Sequence, residues 1–280
     1  MTDIYKRLQR VSQRFSGNFS LYAEHMSTQR VVQFGPTHQM ETASTIKLPI
    51  LVETLRQVAA GRLSLSEPVT LLGSDIVPGS GVIQHLSPGI SLPLQDVLTL
   101  MIIVSDNVAT NMTLRLVGIS AVNASCDRWG MADTVLKKRI DFTVPGAIGL
   151  STPYDMAILL KGLYHGTLLP EPLTQLARDI LSRQQYQQLL SRRLPYDLIA
   201  NDSDDNPPPI IIESKSGTLQ GVRNDVGIVR TPWGDYVIAI FSEACHDLRY
   251  HIDNEAQQLL PEVSRAIFDH FCPAALADLG

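Results

Sequence analysis

The chain has 280 residues, of which 44% are hydrophobic and 18% are charged. That length and composition allow a sizeable core, in one large domain or two packed lobes, and do not indicate a disordered chain. The net charge of −5 at pH 7 argues against nucleic acid or an anionic membrane as a partner, and the apolar runs are too short and interrupted to span a bilayer.

The N-terminal segment places Ile4, Leu8, Val11 and Phe15 at helical spacing with polar residues between them. This pattern predicts an amphipathic helix. The segment lacks the apolar region and small-residue cleavage site of a secretory signal. If Met1 is the native start, we expect a cytoplasmic protein; a periplasmic or secreted protein whose signal has been removed would look the same.

The next segments predict two short strands and then a largely helical middle. The strands cover residues 18–26 and 30–35, and a helix is predicted over residues 46–61. After a loop-rich stretch, the segment 94–104 is apolar nearly all round and predicts a buried central helix. Further helical patterns continue to about residue 193.

The acidic, proline-rich segment 201–209 marks a boundary, and the chain beyond it has strand character. Strands from the two ends of the chain most simply form one antiparallel sheet of about five strands, flanked by the N- and C-terminal helices. The fold class is therefore α+β, with an inserted all-helical lobe. We expect a single domain over residues 1–280, with a sheet lobe (1–43 plus 208–280) and a helical lobe (44–207).

The cysteines and histidines offer no metal site or disulfide framework. Cys126, Cys245 and Cys272 are an odd number at wide spacing, so we expect buried free thiols. The seven histidines are scattered without a zinc-binding pattern. We expect no metal and no cofactor.

Ser44 and Lys47 form an S-x-x-K pattern at the start of the predicted helix over 46–61. Residues three apart on a helix share a face, so the two side chains can come within hydrogen-bond reach. A serine needs a neighbouring base to become a nucleophile, and a lysine is a base only if its pKa is lowered. The pattern alone is weak, because Lys47 can equally be an ordinary charge at a helix start.

Two further patterns supply polar groups at places where the structural context is predicted to be buried. Ser105, Asp106 and Asn107 form an S-D-N triplet at the break between two predicted helices, where they can also act simply as helix caps. Lys215, Ser216 and Gly217 form a K-S-G triplet at the end of an apolar strand. A buried lysine there needs a reason, because an unpaired buried charge is costly, and a glycine permits close approach of a substrate backbone.

The three patterns together, in this order and on these elements, resemble the signature set of class A β-lactamases and penicillin-binding proteins. The resemblance extends from the N-terminal helix to the C-terminal helix. It implies the serine β-lactamase/DD-peptidase fold, in agreement with the sheet and helical lobe predicted above.

The resemblance also implies a role for each residue that matches the family patterns. Ser44 would be the acylated nucleophile, Lys47 the base or proton relay, and Ser105 the group that passes a proton to the leaving nitrogen. Asn107 would hold the substrate amide and Lys47. Lys215 and Ser216 would bind the substrate carboxylate, and Lys215 would lower the pKa of Lys47.

The resemblance implies an oxyanion hole formed by the backbone N–H groups of Ser44 and Leu219, the latter two residues past Gly217. Arg223 is a candidate second cation for an anionic substrate. An ion pair between Arg223 and Asp225 is an equally plausible use of that arginine.

The resemblance fails in the segment between residues 136 and 156. Class A β-lactamases carry a glutamate in an E-x-x-L-N pattern there, which activates the deacylating water, and this segment contains no glutamate. Its carboxylates are Asp141 and Asp155. The spacing of Asp155 from Thr152 favours a helix cap, which leaves Asp141 as the candidate water-activating base, on location alone.

These patterns predict a serine hydrolase that cleaves a β-lactam, or another cyclic or linear amide bearing a carboxylate, through an acyl-enzyme on Ser44. Deacylation is predicted to be slow or to follow a non-standard route. Two alternatives remain open: a non-turnover protein that binds β-lactams or peptidoglycan fragments, and a related amidase or esterase resembling serine-dependent glutaminases. We expect a small carboxylate-bearing substrate, no nucleic-acid or membrane partner, and a monomer or weak homodimer.

Overall fold

A five-stranded antiparallel sheet forms the centre of the computed structural model, which describes residues 3–200 and 208–278. The first two strands and the last three share this sheet, so the α+β class and the pairing of the chain ends are confirmed. Most of the predicted boundary at 201–209 lies outside the described residues. The strands are β1 (Asn18–His25), β2 (Val31–Phe34), β8 (Ile211–Leu219), β9 (Val222–Arg230) and β10 (Tyr236–Glu243), in the spatial order β2-β1-β10-β9-β8.

The terminal helices α1 (Asp3–Arg14) and α9 (Glu255–Phe271) cover one face of the sheet. The predicted amphipathic helix is confirmed, because Ile4, Leu8 and Val11 of α1 are buried at helical spacing. These side chains join apolar residues of α9 and of the sheet in one core. Because α1 and α9 bury this face of the sheet, side chains of β8 and β9 can reach a functional site only on the other side of the sheet.

Helices from the middle of the chain cover the other face and build a second, larger core with the sheet. Because both faces are covered, β9 and β10 are buried almost throughout. The helices are α2 (Lys47–Ala59), α3 (Leu94–Ile103), α4 (Asn107–Val117), α5 (Ile119–Arg128), α6 (Pro153–Tyr164), α7 (Glu171–Ser182) and α8 (Tyr196–Ile199), and α10 (Pro273–Asp278) ends the described chain.

The prediction that the middle of the chain is all helical is wrong. It contains the two-stranded pair β4 (Pro68–Thr70) and β5 (Ser91–Pro93), and β6 (Val135–Leu136) with β7 (Gly149–Ser151) pairs onto β3 (Met40–Glu41). These strands have two or three residues each, too few for an alternating pattern to be visible in the sequence. They tie the loops on either side of the site to the helices.

The expectation of one buried central helix over residues 94–104 also needs correction. Helix α3 buries one face and leaves Gln95 and Asp96 exposed. The most enclosed helices are α2 and α4. Their sequences are less apolar than that of α3 because several of their buried positions hold polar side chains. Two of those polar side chains, Lys47 and Asn107, belong to the candidate site.

The cysteine prediction is confirmed, since Cys126, Cys245 and Cys272 are buried free thiols. Within residues 3–200 and 208–278, we find no helix with the length and hydropathy needed to cross a membrane. The same residues hold no cluster of three or more His, Cys, Asp or Glu side chains that could bind a metal ion.

Candidate active site

Ser44 lies on a short 3-10 turn, Ala43–Ile46, that runs directly into α2. Ala43 has a positive φ of 47°, a backbone conformation that L-residues other than glycine rarely adopt. Strain of this kind persists where the surrounding structure enforces it, and it clusters at functional sites. Ser44 is half-buried and lines two cavities that meet at its side chain.

Lys47 is fully buried one turn after Ser44 and is held by two residues of the S-D-N triplet. Its Nζ donates to the Ser105 carbonyl oxygen at 2.6 Å and to Asn107 Oδ1 at 2.9 Å, and it lies 3.1 Å from Ser105 Oγ. No hydrogen bond joins Ser44 Oγ to Lys47 Nζ among the described residues. The cluster fits a neutral amine that donates twice and accepts once, as well as an ammonium.

Burial acts on both lysines of the site. Desolvation lowers the pKa of Lys47 well below its ordinary value, and the nearby Lys215 ammonium lowers it further, against the opposing effect of Asp106. Desolvation likewise lowers the pKa of Lys215 to about 7, opposed by Asp225. The shift of the Lys47 pKa favours the neutral amine over the ammonium, and only the neutral amine can accept a proton.

The loop between α3 and α4 presents Ser105 and Asn107 because Asp106 anchors it. The carboxylate of Asp106 accepts from Ala109 N at 2.9 Å, which caps α4, and from Val82 N at 2.7 Å and Ile83 N at 2.9 Å. The capping role expected of the triplet therefore belongs to Asp106. Its neighbours are left free to face Lys47, and Ser105 does so with a positive φ of 52°.

The segment 78–83 packs against this loop through two glycines. A Cβ on Gly79 would lie 2.7 Å from Asn107 Nδ2, and a Cβ on Gly81 would lie 2.2 Å from the Asp106 carboxyl carbon. Both glycines have positive φ angles. Asn107 Nδ2 also donates to the Pro78 carbonyl at 3.2 Å, so both ends of its amide are fixed.

Strand β8 is the edge strand of the sheet and runs past the Ser44 turn. A Cβ on Gly217 would lie 2.8 Å from the Thr42 carbonyl oxygen and 2.9 Å from Ser44 N. The close approach that this glycine allows is therefore with the chain's own nucleophile turn. Lys215 lies two residues earlier and is fully buried, with Nζ donating to the Ser216 carbonyl at 2.7 Å.

The sheet register places Thr218, and not Leu219, as the second backbone donor near Ser44. Arg223 exchanges hydrogen bonds with Ser242 on β10, so its backbone groups face away from Thr218, its partner on β8. Thr218 N–H consequently points out from the free edge of β8, whereas Leu219 N–H points toward Val222 across the hairpin. The register therefore does not support Leu219 as the second oxyanion donor and favours Thr218; the oxyanion hole itself stays a prediction.

Arg223 does not reach the site as a free cation. Its Nη1 donates to the carbonyls of Leu219 at 2.6 Å and Val222 at 2.8 Å, and its Nη2 donates to the Arg249 carbonyl at 2.9 Å. The guanidinium carbon lies 5.2 Å from the ring centroid of Tyr250. Arg223 lines neither cavity beside Ser44, and the described residues include no ion pair between Arg223 and Asp225, so both expectations for this arginine are wrong.

Asp141 is also turned away from Ser44. Its carboxylate accepts from the backbone N of Thr143 at 2.9 Å and from Thr143 Oγ1 at 2.6 Å, and these bonds lower its pKa. It lines neither cavity. The prediction of Asp141 as water-activating base is therefore not supported by its position. The alternative carboxylate, Asp155, accepts from Asp133 N and Thr134 Oγ1 in the core, while its own N–H donates to Thr152.

The two cavities at Ser44 differ in size and in wall chemistry. The smaller, of about 270 Å³, is lined mainly by polar side chains, and the larger, of about 620 Å³, mainly by apolar ones. Within the described part of the chain, no aspartate or glutamate lines either cavity. Besides Ser44, the smaller is lined by Ser80, Ser105, Tyr186, Gln188, Leu189, Ser216, Thr218 and Gln257, and the larger by Ala43, Ile46, Lys47, Gly79, Ser80, Asn107, Ile140, Phe142, Ile148, Thr218, Leu219, Gln220 and Tyr250.

The geometry agrees with comparisons to known proteins. The model of the Beta-lactamase enzyme family matches residues 3–271, nearly the whole chain. The chain belongs to this family. A β-lactamase of Rhodobacter capsulatus is 27% identical over 230 residues, which cover 80% of this chain and 73% of that protein.

Two solved structures extend the β-lactamase family comparison. A β-lactamase from Sphaerobacter thermophilus is 28% identical, with a TM-score of 0.84 over 96% of both chains. A leucine-to-glutamate variant of PBP-A, solved as an acyl-enzyme complex with penicillin G, is 28% identical, with a TM-score of 0.83 over 96% of this chain and 95% of that chain. Family membership makes this chain a β-lactamase-like hydrolase in overall design.

Within this family design, sequence reasoning missed the positions of three residues. Backbone N–H groups along a strand point alternately to its two sides, so the N–H groups of Ser216 and Thr218 point to the same side of β8. This two-residue period could have identified Thr218 from the sequence. Asp106 was treated only as one of three possible caps, although three N–H groups depend on it. Tyr250 carried no sequence signal, because the loop that holds it has no periodic pattern.

Proposed function

We propose that this β-lactamase family member is a serine hydrolase that acylates Ser44 with a β-lactam or a related carboxylate-bearing amide and releases the acyl group slowly. The observation that carries the proposal is the fully buried Lys47, held between Ser105 and Asn107 one turn from Ser44. Burying two lysine side chains is costly. Buried groups with shifted pKa values cluster at functional sites, so the two lysines indicate a reactive site.

Acylation begins with transfer of the Ser44 hydroxyl proton to the neutral amine of Lys47. Ser44 Oγ then attacks the carbonyl carbon of the substrate, and the carbonyl π electrons move to oxygen. The resulting oxyanion is stabilised by the backbone N–H groups of Ser44 and Thr218, two residues that line both cavities. These fixed donors cost no reorganisation when the charge develops.

Collapse of the tetrahedral intermediate breaks the carbon–nitrogen bond. The proton taken by Lys47 passes through Ser105 Oγ, 3.1 Å from Lys47 Nζ, to the leaving nitrogen. Ser105 lines the smaller cavity, as does Ser216. The substrate carboxylate therefore binds at the Ser216 end, where protonated Lys215 beneath the strand attracts it.

For the second half of the reaction, the residues that the structure describes place no carboxylate base at the site. Among residues 3–200 and 208–278, no Asp or Glu lines either cavity, and Asp141 is engaged by Thr143. Ile140, Phe142 and Ile148 instead form an apolar wall beside Ser44. Without a base to activate it, water attacks the ester poorly, so the acyl-enzyme is long-lived.

Time-resolved intact-mass spectrometry with penicillin G tests the proposal. We expect a stoichiometric adduct of the mass of the intact antibiotic, because ring opening expels no fragment, that persists long after free antibiotic is removed. Ser44→Ala should abolish the adduct, whereas Ser80→Ala, a serine lining the same two cavities, should retain it.

Three outcomes would change the proposal. Absence of any adduct would refute the acylation step, and persistence of the adduct in Ser44→Ala would refute the choice of nucleophile. Rapid loss of the adduct with steady-state hydrolysis would refute slow release and would require a water-activating group that is not a cavity-lining carboxylate.

A further inference from the structure

Two exposed aromatic side chains stand on opposite edges of the larger cavity. Phe142, in the loop between β6 and β7, is 50% exposed, and Tyr250, in the loop between β10 and α9, is 65% exposed. Both line this cavity and neither lines the smaller one. A large aromatic ring that is half exposed near Ser44 can bury further apolar area against a bound ligand.

Each ring is held in place by its surroundings. Phe142 packs against the segment 78–83, where a Cβ on Gly79 would lie 3.7 Å from Phe142 Cε2. Tyr250 lies over the guanidinium of Arg223, which also donates to the Leu219 and Arg249 carbonyls on either side. Arg223 thus joins the loop that carries Tyr250 to the end of β8.

The cavity between the rings is apolar. Ile140, Ile148 and Leu219 line it, and its volume is about 620 Å³. This exceeds the volume of a phenylacetyl group several times over, so the cavity admits a bulky substituent without rearrangement. Ser105 lines only the smaller cavity, whereas Asn107 lines only the larger.

That division fixes the orientation of the substrate. In the proposed reaction, which this inference presupposes, Ser105 protonates the leaving nitrogen, so the leaving group occupies the smaller, polar cavity. The acyl group must then extend past Asn107 into the larger cavity. We propose that this cavity selects substrates with a large apolar acyl group, aromatic or alkyl, and that Phe142 and Tyr250 are the residues that determine this specificity.

Acylation rate constants for penicillins that share one nucleus test the inference. Penicillin G carries an apolar phenylacetyl side chain on the 6-amino group, and carbenicillin carries an added carboxylate on the same side chain. 6-Aminopenicillanic acid keeps the β-lactam ring but has no acyl side chain. We expect penicillin G to acylate Ser44 about 10- to 100-fold faster than either, because the phenyl ring is buried between apolar walls.

Removal of either ring should lower the preference for penicillin G and leave the reaction of the shared nucleus nearly unchanged. Phe142→Ala and Tyr250→Ala should each reduce the ratio of penicillin G to 6-aminopenicillanic acid about fivefold to tenfold, with little change for 6-aminopenicillanic acid itself. Tyr250→Phe keeps the ring and should keep the ratio. Tyr186→Ala removes an exposed aromatic from the smaller cavity and is the matched control, because it should leave the ratio unchanged.

The outcomes separate this inference from the proposed function. If penicillin G and 6-aminopenicillanic acid acylate Ser44 at similar rates, the selectivity is refuted while the acylation chemistry stands. If the ring variants keep a high ratio, the assignment of Phe142 and Tyr250 as its determinants is refuted. If no penicillin acylates Ser44, both are refuted. Unchanged thermal melting of the variants would show that lost selectivity is not lost folding.

Discussion

The cluster around Lys47 and the segment 137–148 flank the same serine but differ in almost every physical property. Lys47 is fully buried with protein partners on Ser105 and Asn107. In the segment 137–148, Phe142 and Val144 are about half exposed, and the one carboxylate bonds to its own loop. The first region has the buried polar contacts that the proposed proton transfer needs, and the second offers an apolar surface.

This difference indicates that the two halves of a hydrolytic cycle can be built independently. The groups proposed to form the acyl-enzyme lie on the 3-10 turn that leads into α2, on α2 itself, in the loop before α4 and on β8. The helices and the strand pack into the two cores of the fold. The group that would remove the acyl chain has to come from a surface loop, which can lose it without disturbing the core. Each prediction below changes one of the two regions and leaves the other intact.

Removal of Lys47 should have the largest effect. Lys47→Ala should slow acylation by penicillin G by about 10³-fold, within the range that a positioned general base contributes. Stopped-flow or quenched mass spectrometry would measure the rate, with thermal melting as a check on folding. Lys161→Ala is the control lysine, since Lys161 pairs with Glu24 away from the site. A change below tenfold in Lys47→Ala would mean that another group takes the Ser44 proton.

Two aspartates, one from each region, should respond very differently to substitution. Asp106→Ala leaves three N–H groups without their acceptor, so we expect it to lower the free energy of unfolding by about 3 kcal/mol. Asp141→Ala removes only bonds to Thr143 on the surface and should leave the free energy of unfolding nearly unchanged. Urea denaturation measures both.

The same pair tests the assignment of Asp141. Because it lines neither cavity, Asp141→Ala should leave the lifetime of the penicillin adduct unchanged. A markedly longer lifetime in this variant would restore Asp141 as the deacylating base. Asp106→Asn, which can keep one acceptor oxygen, should fall between wild type and Asp106→Ala in stability.

A carboxylate placed in the apolar wall should convert the second region toward hydrolysis. Ile148 lines the larger cavity together with Ser44 and Lys47, so Ile148→Glu brings a potential base beside the acyl ester. We expect deacylation to become about 10- to 100-fold faster, while acylation changes little. Ile148→Gln has similar size and no basicity, and equal acceleration by both variants would show that space, and not base catalysis, limits water.

The sequence was sufficient for the parts of the site that depend on local pattern. The positions of Ser44, Lys47 and Ser105 on a helix start and an interhelical loop follow from motif and periodicity. The partners of Arg223 depend on where residue 249 folds back against the hairpin, and no local pattern encodes that contact. Leu219 and Thr218 differ only in strand parity, and the parity becomes evident once the register with β9 and β10 is known.

The pH dependence of acylation should show a smaller effect, and it separates the two lysines. In the proposed reaction Lys47 must be neutral, and burial lowers its pKa in the direction that favours the neutral amine. Lys215 must be charged to attract a carboxylate, and its pKa of about 7 means that it loses its proton above neutrality. For penicillin G, kcat/KM for acylation should therefore fall as pH rises above 7, by up to about tenfold per pH unit. The methyl ester of the same penicillin carries no carboxylate and should not show the fall. If the rate for penicillin G instead keeps rising to pH 10, Lys47 titrates like an exposed lysine, and burial does not set its basicity.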